Sequence, residues 1–101
     1  MPRMENFVPF PNQQPTIFTR AGVESINPDQ WGCYGIFRQG KWIYVGKGDI
    51  RTRLLSYLNG ENPCITRSGP THFVTVVTPN YDEMEKTLIL ELNPSCNQKV
   101  G

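Results

Sequence analysis

Between Gly32 and Tyr57 the sequence reads GCYGIFRQGKWIYVGKGDIRTRLLSY, and no other stretch leaves this chain so little conformational freedom. Aromatic and β-branched residues fill Cys33–Phe37 and Trp42–Val45, the composition of pleated strands, and Arg38-Gln39-Gly40 between them reads as a hairpin turn. The length of that turn governs which side chains share a face. A two-residue loop, Gln39-Gly40, pairs Tyr34 with Val45 and sends Tyr34 and Tyr44 to opposite faces. A three-residue loop, with Gly40 left-handed in a G1 bulge, pairs Tyr34 directly with Tyr44. Glycine is at ease in that conformation, so the three-residue loop is expected, with two phenols side by side.

A helix follows. Gly48 ends the strand, and Asp49 is placed to cap the backbone N–H of Arg51 or Thr52. Ile50, Leu54, Tyr57 and Leu58 then recur on one helical stripe. Arg53 falls at the edge of that stripe and leans toward the sheet, whereas Arg51 points to water.

The rest of the chain sets bounds. With 101 residues it forms one domain with a modest core, and a net charge of +1 gives no global signature of a nucleic-acid partner. The charge is nevertheless segregated. Arg38, Lys41, Lys47, Arg51, Arg53 and Arg67 face only Asp49 and Glu61 in the middle of the chain, and Asp82, Glu83, Glu85 and Glu91 crowd the region after it. Cys33, Cys64 and Cys96 are odd in number and widely spaced, which argues against a disulfide framework or a zinc site and for a reducing compartment. No apolar run has membrane length, so a soluble cytoplasmic protein with no membrane partner is expected.

Residues 1–30 read as a Pro-rich arm and lead-in, with Ile17 and Phe18 able to dock on the core, and residues 31–101 as the folded domain. Asn59–Pro70 reads as a loop, Phe73–Thr78 as a third strand, and Asp82–Leu92 as a final helix closed by Asn93-Pro94. The fold class is therefore α+β, a small three-stranded antiparallel sheet flanked by helices in β-β-α-β-α order. On the last helix, the ~100° step per residue sets Glu85 inside the apolar arc of Met84, Leu88, Leu92 and Ile89, and Asp82 and Glu83 outside it. An inward carboxylate needs a partner. It is either an ion pair with Arg53 or another base, or a ligand for a metal or a proton.

Two tyrosines, a lysine, an arginine and an inward glutamate suit phosphodiester hydrolysis better than acyl transfer, because His72, at a strand end, is the only histidine. One carboxylate can hold Mg²⁺ or Mn²⁺. Arginine can clamp the phosphate, lysine adds a point charge, and a phenol lowered by nearby cations can take a proton from water. Tyr34, mid-strand, is the expected general base, with Tyr44 orienting the phosphate or a metal-bound water. Lys47 lies three residues beyond Tyr44 and reaches the site only if the chain turns at Gly46. Gly46-Lys47-Gly48 lacks the spacing of a P-loop.

Gly32-Cys33-Tyr34, then Tyr44-Val45-Gly46-Lys47 and Arg53-Leu54, resemble the GIY-YIG nuclease family, including the nuclease domain of bacterial excision-repair endonucleases. Downstream, Glu85, Leu88-Ile89, Leu92, Pro94 and Asn97 resemble that family's closing pattern, so the likeness covers about Trp31 to Lys99. Cys33 stands where the family has isoleucine, and the loop after Gly46 is one residue shorter. The resemblance implies an endonuclease acting on DNA in repair or recombination. Tyr34, Tyr44, Lys47, Arg53 and Glu85 would be catalytic, and Glu85 would hold one Mg²⁺ or Mn²⁺. Arg51, Arg67 and Asn97 are expected to support substrate binding. No attached recognition domain is expected, so target choice would come from the domain itself, from a homodimer or from a protein partner. The rival reading is a module that binds nucleic acid through the same fold and cleaves nothing.

Overall fold

The computed structural model describes residues 15–97, and the Pro-rich arm before Pro15 lies outside the described residues. The order is β1 (Thr16–Ile17), α1 (Arg20–Glu24), β2 (Trp31–Arg38), β3 (Lys41–Asp49), α2 (Ile50–Leu58), α3 (Pro63–Ser68), β4 (His72–Val77), α4 (Tyr81–Leu92) and a closing 3-10 turn, Ser95–Asn97. The architecture is α+β. The strands form one antiparallel sheet in the order β1-β4-β2-β3, so β2 is central and β3 is an edge.

Three expectations are corrected. The sheet has four strands rather than three, because the chain entering the domain pairs Thr16 with Phe73 and Ile17 with His72. Asn59–Pro70 is not a loop throughout. Asn62 accepts from the N–H groups of Cys64 and Ile65 at 3.1 and 3.3 Å, Pro63 opens a helix and left-handed Gly69 stops it. That helix buries Ile65 completely. Finally, Cys64 and Cys96 form a disulfide. Sequence spacing carries no trace of it, because tertiary packing is what lays the C-terminal turn on α3. The inference of a reducing compartment loses its support with it. Cys33 remains free and buried.

The sheet separates two apolar clusters. Tyr34 and Ile36 from β2 and Phe73 from β4 meet Val23 of α1, Ile50, Leu54 and Tyr57 of α2 and Ile65 of α3 on one face. Cys33, Phe37, Val45 and Val74 meet Leu88 of α4 on the other, with Met84 and Ile89 packed against them. This alternation along β2 is the period of two that a strand covered on both faces must show. Among the described residues no helix is long and apolar enough to cross a membrane.

Closing a loop across a sequence separation of 32 restricts the unfolded chain, an effect of about 3–4 kcal/mol by loop entropy. Urea unfolding of the oxidised protein and of Cys64→Ser/Cys96→Ser is expected to differ by that amount. Coincident curves would show that the two thiols are not joined in solution.

Candidate active site

The β2–β3 turn has two residues, not the three expected. Gln39 and Gly40 both have positive φ, 50° and 80°, which is the backbone of a type I′ hairpin, and Arg38 pairs with Lys41. A regular continuation would have parted the tyrosines. Instead the register shifts, with Phe37 opposite Trp42 and Ile36 opposite Tyr44, so Ile43 is an extra residue on β3. The bulge restores the parity that the turn removes. Tyr34 lies opposite Gly46 rather than Tyr44, yet both phenols stand on the same face with ring centroids 6.5 Å apart.

A third tyrosine completes the group. Tyr57 on α2 lies 6.0 Å from Tyr34 and 5.4 Å from Tyr44, ring to ring, and its hydroxyl is 2.9 Å from the Tyr34 hydroxyl. Arg53, one helical turn earlier, donates from Nη2 to the Tyr57 oxygen at 3.2 Å, with the guanidinium 5.4 Å from the ring centre. Asp49 starts this helix as expected, accepting from Thr52 N–H at 3.4 Å. The hydrophobic stripe placed Tyr57 in the core, where it is buried, but did not show that its hydroxyl meets Tyr34 and Arg53. The signal available was its place four residues after Arg53, on the face that arginine shares.

Gly46 is required by contact. A Cβ built there would fall on the Tyr34 phenol, so the ring lies directly across the strand backbone. Next to it, the Asn97 side chain closes the outer edge of β3. Its Oδ1 accepts from Val45 N–H at 2.7 Å and its Nδ2 donates to Val45 O at 2.9 Å, as a neighbouring strand would. The adjacent Cys64–Cys96 disulfide ties that turn to α3.

Lys47 and Glu85 belong to the other side of the sheet, where α4 passes β3. The chain does not turn at Gly46; β3 runs on to Asp49. The Lys47 ammonium lies 2.6 Å from Asp82 Oδ1 and 3.6 Å from Glu85 Oε1. Asp82, set outside the apolar arc by its helical position, is thus a site neighbour that the sequence reading missed. Its reach comes from standing one turn before Glu85. Glu85 is half-shielded, its side chain 19% exposed, and its charge is felt at both Cys33 and Tyr44.

Burial governs the protonation of the phenols. Tyr34 is 1% exposed, and desolvation, then Tyr57, hold its pKa well above the ordinary phenol value. Burial, then Tyr57 and Glu85, raise Tyr44 as well. The expectation that cations lower Tyr34 is corrected: no cation outweighs its desolvation. Burial and Glu85 push the Cys33 thiol to about 11, so it is a packed, inert side chain. Asp82 raises Lys47.

The remaining expected residues are more scattered. Arg51 does not simply point to water, because its Nε is out of solvent and has no hydrogen-bond partner among the described residues. Arg67 is exposed at the end of α3 and joins no ion pair among the described residues. His72 stacks on Phe37 at 5.8 Å and contacts Thr71, a strand-end role. Among the described residues no group of three or more His, Cys, Asp or Glu has the geometry of a metal cage. A scan against protein-family models finds no match, and a search of curated proteins finds none either.

Two outcomes check this geometry. Gly46→Ala must displace the Tyr34 ring and is expected to lower stability by about 1–3 kcal/mol in thermal or urea unfolding. The raised Tyr34 pKa adds stability that is full below the unfolded phenol value of about 10 and is lost as pH climbs through and above it. Tyr34→Phe should therefore show a shallower loss of stability than wild type between about pH 9 and 12. Equal slopes would mean that Tyr34 is solvated.

Proposed function

We propose that this chain is a metal-dependent endonuclease of the GIY-YIG type that hydrolyses DNA phosphodiester bonds. The observation that carries the reading is convergence. Residues from β2, β3, α2 and α4 gather around Tyr44-Val45-Gly46, with three phenols and Arg53 on one side and Lys47 with Glu85 on the other. A core-packing account explains each residue singly but not an arginine bonded to a tyrosine pair on one face of β3 with a mostly shielded carboxylate on the other.

Glu85 is the carboxylate that a divalent ion would use, and the Lys47 ammonium between Glu85 and Asp82 is the ion pair with a base that the alternative reading expected there. Glu85 would hold one Mg²⁺ or Mn²⁺, with Asp82 drawing Lys47 aside, and such an ion supplies Lewis-acid polarisation of phosphate oxygens. Arg53 holds the phosphate through charge-assisted hydrogen bonds, and its bond to Tyr57 fixes the direction of the guanidinium. Tyr34, neutral and buried, orients Tyr57 and cannot readily act as a base. Tyr44 is the better acceptor of the water proton. Part of its raised pKa is due to the Glu85 charge, and a cation there removes that part. Tyr44 first gives its hydroxyl proton to solvent; water oxygen then attacks phosphorus, the water proton passes to the Tyr44 phenolate, and the bond to the leaving sugar oxygen breaks, that oxygen taking a proton from solvent.

The reading of a non-catalytic binding module has one observation in its favour. Lys47 is engaged by two carboxylates and so is not directed at a phosphate. Cleavage of plasmid and branched DNA with Mg²⁺ or Mn²⁺, against EDTA, separates the two. Nicking that EDTA stops is expected, with Glu85→Gln slower by about 100-fold or more and Glu83→Gln unchanged. Tyr44→Phe should lose the basic limb of the rate–pH profile and Tyr34→Phe should keep it. Tight DNA binding without nicking under any metal would establish the binding module instead.

A further inference from the structure

Beyond Pro94, which is fully buried, the turn Ser95–Asn97 buries no side chain. Asn97 and Cys96 bond it to the rest of the fold. Asn97 forks onto Val45, accepting from its N–H at 2.7 Å and donating to its carbonyl at 2.9 Å. One residue earlier, Cys96 is bridged to Cys64 in the first turn of α3. A further contact between α3 and this turn, Ser68 Oγ to Cys96 Sγ at 3.7 Å, runs through the same cysteine. The fork is part-buried, at the edge of the sheet, where water competes for the same polar groups. Two such hydrogen bonds persist only while the backbone that carries them is kept near, and the bridge keeps it near.

The bridge is open to exchange. Both cysteines are half-buried rather than enclosed, so a small dithiol reaches the sulfur pair. Cys33 lies on the other face of the sheet, buried and with its thiol held protonated, so it does not compete for either sulfur. Neither bridged cysteine belongs to the buried residues of the two apolar clusters, so the fold outlasts reduction and the change is local. We propose that Cys64–Cys96 is a redox-operated latch: closed, it keeps Asn97 clipped to Val45, and reduction by a dithiol lets the clip lift from the edge of β3. A thiolate of the dithiol attacks one bridge sulfur, the S–S bond breaks, and the other cysteine leaves as a thiolate and takes a proton. The second thiol gives its proton to solvent and displaces the cysteine still bound, which is protonated in turn. The protein ends with two thiols and the dithiol as a disulfide. Lifting frees the Val45 N–H and carbonyl beside Gly46, where Tyr34 crosses the strand, and loosens Tyr44 against Tyr57. The consequence for cleavage rests on the nuclease reading: the oxidised protein is the active form and reduction slows it.

The test follows Val45 and Asn97 by NMR in oxidised protein, in protein reduced with excess dithiothreitol, and after reoxidation. Reduction is expected to remove the nuclear Overhauser contact between the Asn97 side-chain amide and Val45, and to speed exchange of the Val45 amide with water by about ten-fold or more. The resonances of Ile36 and Leu54, in the core, should stay in place, and reoxidation should restore the first spectrum. Asn97→Ala with the bridge intact should show the fast Val45 exchange in both redox states. A Val45 amide that exchanges alike in both states of the wild type overturns the latch, as does a bridge that excess dithiothreitol does not open in the folded protein. Loss of the Ile36 and Leu54 resonances on reduction also overturns it, because the bridge would then hold the whole fold. Plasmid nicking with Mg²⁺ in both states separates the latch from the nuclease reading. Equal nicking rates remove the control of cleavage and leave the nuclease; redox-dependent Val45 exchange without nicking in either state supports the latch and removes the nuclease.

Discussion

The position of Tyr34 across Gly46 is the contact on which the candidate site depends. It requires that the two residues be cross-strand partners and that one of them carry no Cβ. The partnership follows from a two-residue turn followed by an extra residue at Ile43, two irregularities whose effects on parity cancel. The ring then reaches past β3 to meet Tyr57, and through Tyr57 it meets Arg53. Moving the register by one residue would carry Tyr44 to the face of α4 and leave Arg53 without the tyrosine pair.

A sheet covered on both faces keeps the groups on its two sides out of contact with one another. Here the separation is thin at Gly46. On one side lie neutral phenols kept so by burial; on the other, Asp82 and Glu85 share the Lys47 ammonium. The influence of Glu85 on Tyr44 and on Cys33 shows its charge acting on both sides of β3. In a poorly polarisable interior such a field is attenuated less than it would be in water, so neutralising Glu85 changes the basicity of a phenol across the sheet.

An edge strand bearing the central motif is exposed to unwanted pairing. Asn97 blunts it by hydrogen-bonding both polar groups of Val45, and the disulfide at the preceding residue limits how far that turn can lift. One cross-link thus supports a motif in β3 that itself contains no cysteine.

What the residues alone determined is whatever depends on near neighbours. Strand composition placed β2, β3 and β4; the Asp49 cap and the Ile50, Leu54, Tyr57 stripe placed α2; helical position put Glu85 inward. The signal for α3 was also local, since Asn62-Pro63 starts that helix and Gly69 stops it, and reading the segment by its Gly, Asn and Pro content hid it. Other features had no local signature. The Ile43 bulge is settled by which register sets Tyr44 with α2 and Val45 with α4, an energy summed over the whole sheet. The Thr16–Ile17 strand and the Cys64–Cys96 bridge join segments far apart in the chain, and spacing says nothing of distance once a chain is folded. The phenol pKa values belong to the same class. Desolvation is a property of everything packed around a group, so only the assembled core decided that Tyr34 stays protonated.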